Sequence, residues 1–178
     1  MIRHSRHTSE SWKALPWKKF RRNLFRLQKR VYKAVLVGDK RKARLLQKLI
    51  LKSTSVRFLA IRQVSQLNAG KKTAGIDGKK SLSFEQRFNL EELLKMNSGN
   101  WKHQGLREIP IPKKDGTTRM LKIPTIADRA WQCLAKYALE PACALPLSTP
   151  GVTGSELGAL PMMHKCTSLI TYAHKATE

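Results

Sequence analysis

The placement of charge constrains this chain more than any other feature. Lys18, Lys19, Arg21, Arg22, Arg26, Lys29, Arg30, Lys33, Lys40, Arg41, Lys42, Arg44 and Lys48 crowd one region in which Asp39 is the one acid. The 178 residues carry 35 Lys plus Arg against 12 Asp plus Glu, a formal charge of +23. A compact fold with that excess repels itself unless a polyanion screens it, so nucleic acid is the natural partner. The chain is no disordered basic tail, because an apolar fraction of 41% supports a modest core in one ordinary domain or two small ones.

The cations are threaded through helical patterns. From Phe20, the apolar residues Leu24, Leu27, Val31 and Val35 recur at steps of three and four, which lays one stripe along a helix. Gly38-Asp39 breaks the pattern. A second run carries Ala43, Leu46, Leu49 and Ile50. A third, with Ser53, Thr54 and Ser55 as candidate caps, carries Val56, Leu59, Ile61, Val64 and Leu67 up to Asn68-Ala69-Gly70. Three packed basic helices are predicted.

Gly70-Lys71-Lys72-Thr73-Ala74-Gly75-Ile76-Asp77-Gly78 has too much glycine and too little periodicity for a helix or strand, so it reads as a loop whose amides and lysines suit phosphate. Ser83 and Gln86 have capping-box spacing and open a helix over residues 83 to 96, with Phe84, Phe88, Leu90, Leu93 and Leu94 on its apolar face. Ile109 and Ile111, the turn Lys114-Asp115-Gly116, and the return Met120-Leu121-Lys122-Ile123 describe a β-hairpin. Thr125-Ile126-Ala127-Asp128 caps a last helix running to about Leu139.

No apolar run approaches the roughly 20 residues that span a bilayer, and the N-terminus lacks the apolar stretch of a secretory signal. A soluble protein of the cytoplasm or an organellar matrix is expected. Cys133, Cys143 and Cys166 are odd in number and lack the close pairing of a zinc site, so reduced thiols are expected. Trp12, Trp17, Trp101 and Trp131 read as core or domain-contact residues, and His4, His7 and His103 as surface residues.

Three stretches resemble the front of the group II intron-encoded reverse transcriptases and maturases, in that family's order. They are Leu27-Gln28-Lys29-Arg30-Val31-Tyr32-Lys33-Ala34 with Gly38-Asp39; Leu46-Gln47-Lys48-Leu49 through Arg62-Gln63-Val64 to the Gly70–Gly78 block; and Ile111-Pro112-Lys113 through Ile123-Pro124-Thr125-Ile126-Ala127-Asp128-Arg129-Ala130 to Ala138-Leu139-Glu140-Pro141. The resemblance implies a mainly α fold with a small β-hairpin (α+β). Residues 1–80 would be a basic helical RNA-binding region, residues 81–141 part of the fingers subdomain, and residues 142–178 a disordered tail outside the family pattern. It further implies that Lys18, Lys19, Arg21, Arg22, Arg26, Lys29, Arg30, Lys33, Lys71 and Lys72 bind group II intron RNA. Lys113 and Arg119 match the fingers cations that meet a nucleotide triphosphate. Met120 and Lys122 stand where the family usually has Pro and Gly, which departs from its close backbone packing around the nucleotide.

Polymerisation in that family uses palm aspartates holding two magnesium ions about 3.5–4 Å apart. The aspartates here, Asp39, Asp77, Asp115 and Asp128, sit in turns, loops or caps. No catalytic residue, metal site, resident cofactor or small-molecule substrate is therefore expected, and the chain alone should hold RNA without copying it. The apolar face of Ala130, Leu134, Tyr137 and Ala138 should lie uncovered. After Pro141 the resemblance stops. Read across codon boundaries, residues 151–160 approach a Ser-Tyr-Gly-Phe-Arg-Thr-Gly-Arg-Ser block of the family, and Met162-Met163-His164 forces Asp-Ala. A frameshift between about Pro141 and Leu147 is the expectation. A basic structural protein of the ribosome-associated kind is the alternative reading of the charge alone.

Overall fold

The computed structural model describes residues 9–97 and 99–143, with Lys71 by its backbone only. The expectations for residues 144–178, and for His4, His7 and Cys166, lie outside the described residues. The elements run α1 (Ser9–Lys13), α2 (Trp17–Leu36), α3 (Lys40–Lys52), α4 (Thr54–Arg62), a π-helical turn (Gln63–Leu67), a 3-10 turn (Ala69–Lys72), α5 (Phe84–Asn97), β1 (Arg107–Pro112), β2 (Thr118–Ile123) and α6 (Ile126–Cys143). The described residues are mainly α with one antiparallel hairpin, as their patterning predicts. The wide turn continues the third predicted helix to Leu67, and the 3-10 turn makes the start of the expected loop regular.

Helices α2 and α3 form an antiparallel pair because the chain reverses at Gly38, whose φ of 73° is one that only glycine adopts without strain. Gly38 and Asp39 donate their amides to Val35 and Ala34, and the Asp39 carboxylate then accepts from the Lys42 amide at 2.9 Å to start α3. The expected caps of α4 work differently. Ser53 makes no side-chain cap, and the Thr54 hydroxyl accepts instead from Arg57.

The apolar stripes meet in two adjoining clusters. Leu27 and Val31 of α2, Leu46 and Ile50 of α3, Val56 and Leu59 of α4, and Leu134 and Ala138 of α6 fill the first. Trp12, Phe58, Ile61, Leu90, Leu94 and Ala130 fill the second, with Trp17, Trp101 and Trp131 packed at its margin. The tryptophans are thus packing residues. Helix α4 lies between the clusters, which is why all six residues from Val56 to Ile61 are buried. The face of α6 expected to lie open is covered: Ala130, Leu134 and Ala138 are buried against the N-terminal helices, and Tyr137 packs beside them. The physical reason is that this face completes the core that α2, α3 and α4 leave unfilled. The helix also runs past Pro141 to Cys143, beyond the predicted end near Leu139.

Arg57 ties three elements together. Its Nε meets Glu91 Oε1 of α5 at 2.7 Å, its Nη1 donates to the Lys52 carbonyl at the end of α3 at 2.7 Å, and its Nη2 donates to Thr54 at 3.0 Å. The two charged side chains are 3% and 10% exposed, so each is tolerable inside only because the other is there.

Candidate nucleic-acid interface

The burial of one α2 stripe fixes where the rest of that helix points. Leu24, Leu27, Val31 and Ala34 face the core. Lys18, Arg22, Arg26, Lys29 and Lys33, themselves spaced by three or four, therefore form a row on the opposite face, and Lys19, Arg21 and Arg30 flank it. All eight side chains are exposed. Among the described residues no carboxylate pairs with a cation of α2 or α3; the ion pairs are Arg57–Glu91, His103–Asp128 and Lys122–Glu108. By contrast, the α4 cations are spent internally, Arg57 on Glu91 and Arg62 over the Trp17 ring at 4.4 Å.

Part of the row forms a groove of about 600 Å³, lined by Pro16, Lys18, Lys19, Arg22, Asn23, Arg26 and Ser55. Asn23 Nδ2 donates to Ser55 Oγ at 3.4 Å and joins α2 to the start of α4 along the groove. The sequence pattern singles out neither as part of an interface, Ser55 being read there as a candidate helix cap. The signal for Asn23 was its place four residues after Lys19 and three before Arg26, which makes it a neighbour of both on the helix surface. Ser55 carried no such signal, since its role depends on α4 packing beside α2.

The glycine-rich block is held at defined points. Arg129 of α6 donates from Nη1 to the Gly70 carbonyl at 2.8 Å and from Nη2 to the Thr73 carbonyl at 2.9 Å. Partial burial lowers the Arg129 pKa, an effect that nearby Asp77 opposes. Gly75 packs directly on the junction between β2 and α6: a Cβ there would lie 2.8 Å from Thr125 Cα and 2.9 Å from the Pro124 carbonyl oxygen. Gly78 reverses the chain at a φ of 67°. Lys72 is exposed, whereas the Lys71 side chain lies outside the described residues. The loop is thus a surface strap pinned to α6, and Arg129 is its missed anchor.

The hairpin pairs Arg107 with Ile123 through Pro112 with Thr118. Lys113 opens its turn, donating its amide to Thr117 at 2.8 Å, and Arg119 sits opposite Ile111. Both predicted nucleotide-binding cations are exposed at the distal end of this projection, on a different element from the α2 row. Asp115 accepts from the Thr117 hydroxyl at 2.6 Å and its amide at 3.0 Å, and these bonds hold its carboxyl below the usual range.

The remaining aspartates are equally committed. Asp39 caps α3. Asp77 accepts from the Lys79 amide. Asp128, 2% exposed, accepts from Trp101 Nε1 at 2.8 Å, Thr125 Oγ1 at 2.8 Å and the Gln104 amide at 3.2 Å, with His103 Nδ1 also at 3.2 Å. Among the described residues no three His, Cys, Asp or Glu side chains converge as metal ligands. The described donor set does not fit a two-magnesium centre. Nor is any described helix long and apolar enough to cross a membrane.

The comparisons with known proteins agree in direction. Residues 12–94 match the family model described as the N-terminal domain of reverse transcriptase. The chain is similar to maturase-like protein 1 of Euglena gracilis, 46% identical over 125 residues, and to maturase-like protein 1 of Euglena longa, 39% identical over 127 residues. Those alignments cover 70% and 71% of this chain but only 27% and 28% of the two relatives, so the chain spans about a quarter of their length.

Proposed function

Because this chain belongs to the maturase and reverse transcriptase family, as part of its N-terminal region, we propose that it binds structured RNA, specifically group II intron RNA, through the outer face of α2. The observation that carries this reading is the row of exposed, acid-free cations on α2, built on a helix whose opposite face is locked into the core. A rigid row of cations displaces condensed counterions from a phosphate backbone as a unit, which gives affinity and a steep salt dependence. Asn23 supplies an amide donor and acceptor beside those cations, the chemistry that reads a base edge or a ribose hydroxyl. Lys71 and Lys72 of the pinned loop supply, in this proposal, further phosphate contacts.

Lys113 and Arg119 serve, in this proposal, as phosphate contacts for a nucleotide. Splicing assistance and RNA-directed DNA synthesis are proposed as roles of the longer proteins, to which this region contributes binding. The 178-residue chain itself holds RNA without extending a primer.

The test is equilibrium binding of the purified chain to a group II intron RNA and to an unrelated structured RNA of matched length over a salt series. The reading predicts falling affinity for both and a preference for intron RNA that persists at high salt. Equal affinities at every salt would contradict the intron assignment. Stable association with ribosomes and no intron preference would favour a basic structural role.

A further inference from the structure

Phe25 is the one aromatic side chain of α2 that stands exposed rather than packed or half-buried. It is 66% exposed, while Trp12, Trp17, Phe20, Phe58 and Phe88 pack ring against ring. Its helical neighbours are Arg21 and Arg22 before it and Lys29 after it, at the three- and four-residue steps that place side chains side by side. Phe25 therefore stands within the cation row, next to the groove that Arg22, Asn23 and Arg26 line.

An exposed aromatic ring among phosphate-binding cations matches one ligand chemistry closely: a polyanion that also presents flat, apolar faces. Duplex RNA hides those faces in its stack, whereas loops, bulges and single strands expose them. Stacking on an aromatic side chain is tolerant of sequence, because every base has such a face. We infer that Phe25 is a stacking platform for an unpaired base, so that the α2 interface selects RNA carrying an unstacked nucleotide over continuous duplex. This rests on the RNA-binding reading and narrows it. Arg21, Arg22 and Lys29 hold the flanking phosphates, and the phenyl ring takes the base between them.

The test compares the 178-residue chain with Phe25→Ala, Phe25→Leu and Phe25→Trp on two RNAs of equal length, a hairpin with an unpaired loop and an uninterrupted duplex. A 2-aminopurine in the loop reports stacking through its fluorescence. Phe25→Ala should weaken hairpin binding roughly 5- to 150-fold, leave duplex binding within about twofold, and leave the salt slope unchanged, since no phosphate contact is lost. Phe25→Leu should behave like Phe25→Ala, and Phe25→Trp should retain affinity and quench the probe. Retained affinity in Phe25→Leu would make the contact merely apolar, as an acidic protein partner would need, and would overturn the inference. So would equal losses on both RNAs, or none. A wild-type chain that binds neither RNA would overturn the RNA-binding reading itself, a result distinct from RNA binding that is indifferent to Phe25.

Discussion

At the scale of single residues, several side chains are committed so completely that their removal has a calculable direction. Glu91→Ala leaves the Arg57 guanidinium buried without its counter-charge, and a loss of about 3–5 kcal/mol in denaturant-unfolding stability is expected. Replacing the pair together, as Arg57→Met with Glu91→Leu, should recover much of that loss; a double variant no better than the single one would contradict the account. Gly75→Ala forces a methyl group against the Thr125 and Pro124 backbone. It should cost about 1–3 kcal/mol and raise hydrogen exchange at residues 70–78. Cys133 and Tyr137, one turn apart on α6, give a pH dependence. Burial pushes the Cys133 thiol above its ordinary 9.0 and the Tyr137 phenol above its ordinary 10.0. Both are neutral when folded, so their contribution is fully present below about pH 9 and is lost as pH rises through the folded values. Melting temperature should therefore fall on the alkaline side, more shallowly in Cys133→Ala.

At the scale of elements, what the sequence reveals depends on whether the forces are local. The stripe from Leu24 to Val35 predicted α2, the capping box at Ser83 and Gln86 is present with bonds of 2.9 and 3.2 Å, and the turn at Asp115-Gly116 closes the hairpin. Each of these signals is complete within a few residues. What escaped depends on distant partners: Arg129 gripping the carbonyls of Gly70 and Thr73, Ser55 meeting Asn23, and α6 filling the core rather than leaving a face open. The cation row was legible as composition, and its geometry follows once the opposite stripe is buried. If the row acts as one element, Lys18→Ala, Arg22→Ala and Lys29→Ala should each weaken RNA binding without changing the melting temperature, because their side chains are exposed. The same substitution at core-facing Leu27 should destabilise the fold by about 2–5 kcal/mol.

At the scale of the whole molecule, the fold separates two tasks. Its apolar mass and the buried Arg57–Glu91 pair hold α2, α3, α4, α5 and α6 together, which leaves the outer surface of α2 available as a rigid cationic face. The hairpin extends from that body and the pinned loop lies against α6, each with exposed cations of its own. Such a body suits the binding role proposed for it, and it corresponds to about a quarter of the length of its maturase-like relatives. In the proposed arrangement the α2 row contacts RNA phosphate. The most direct test is the dependence of RNA affinity on salt for the chain and for a triple Lys18→Ala, Arg22→Ala, Lys29→Ala variant. Each lost phosphate contact lowers the logarithmic slope by about 0.7–0.9, so the triple variant should be shallower by roughly 2–3. An unchanged slope with normal folding would place the RNA elsewhere on the molecule and contradict the account.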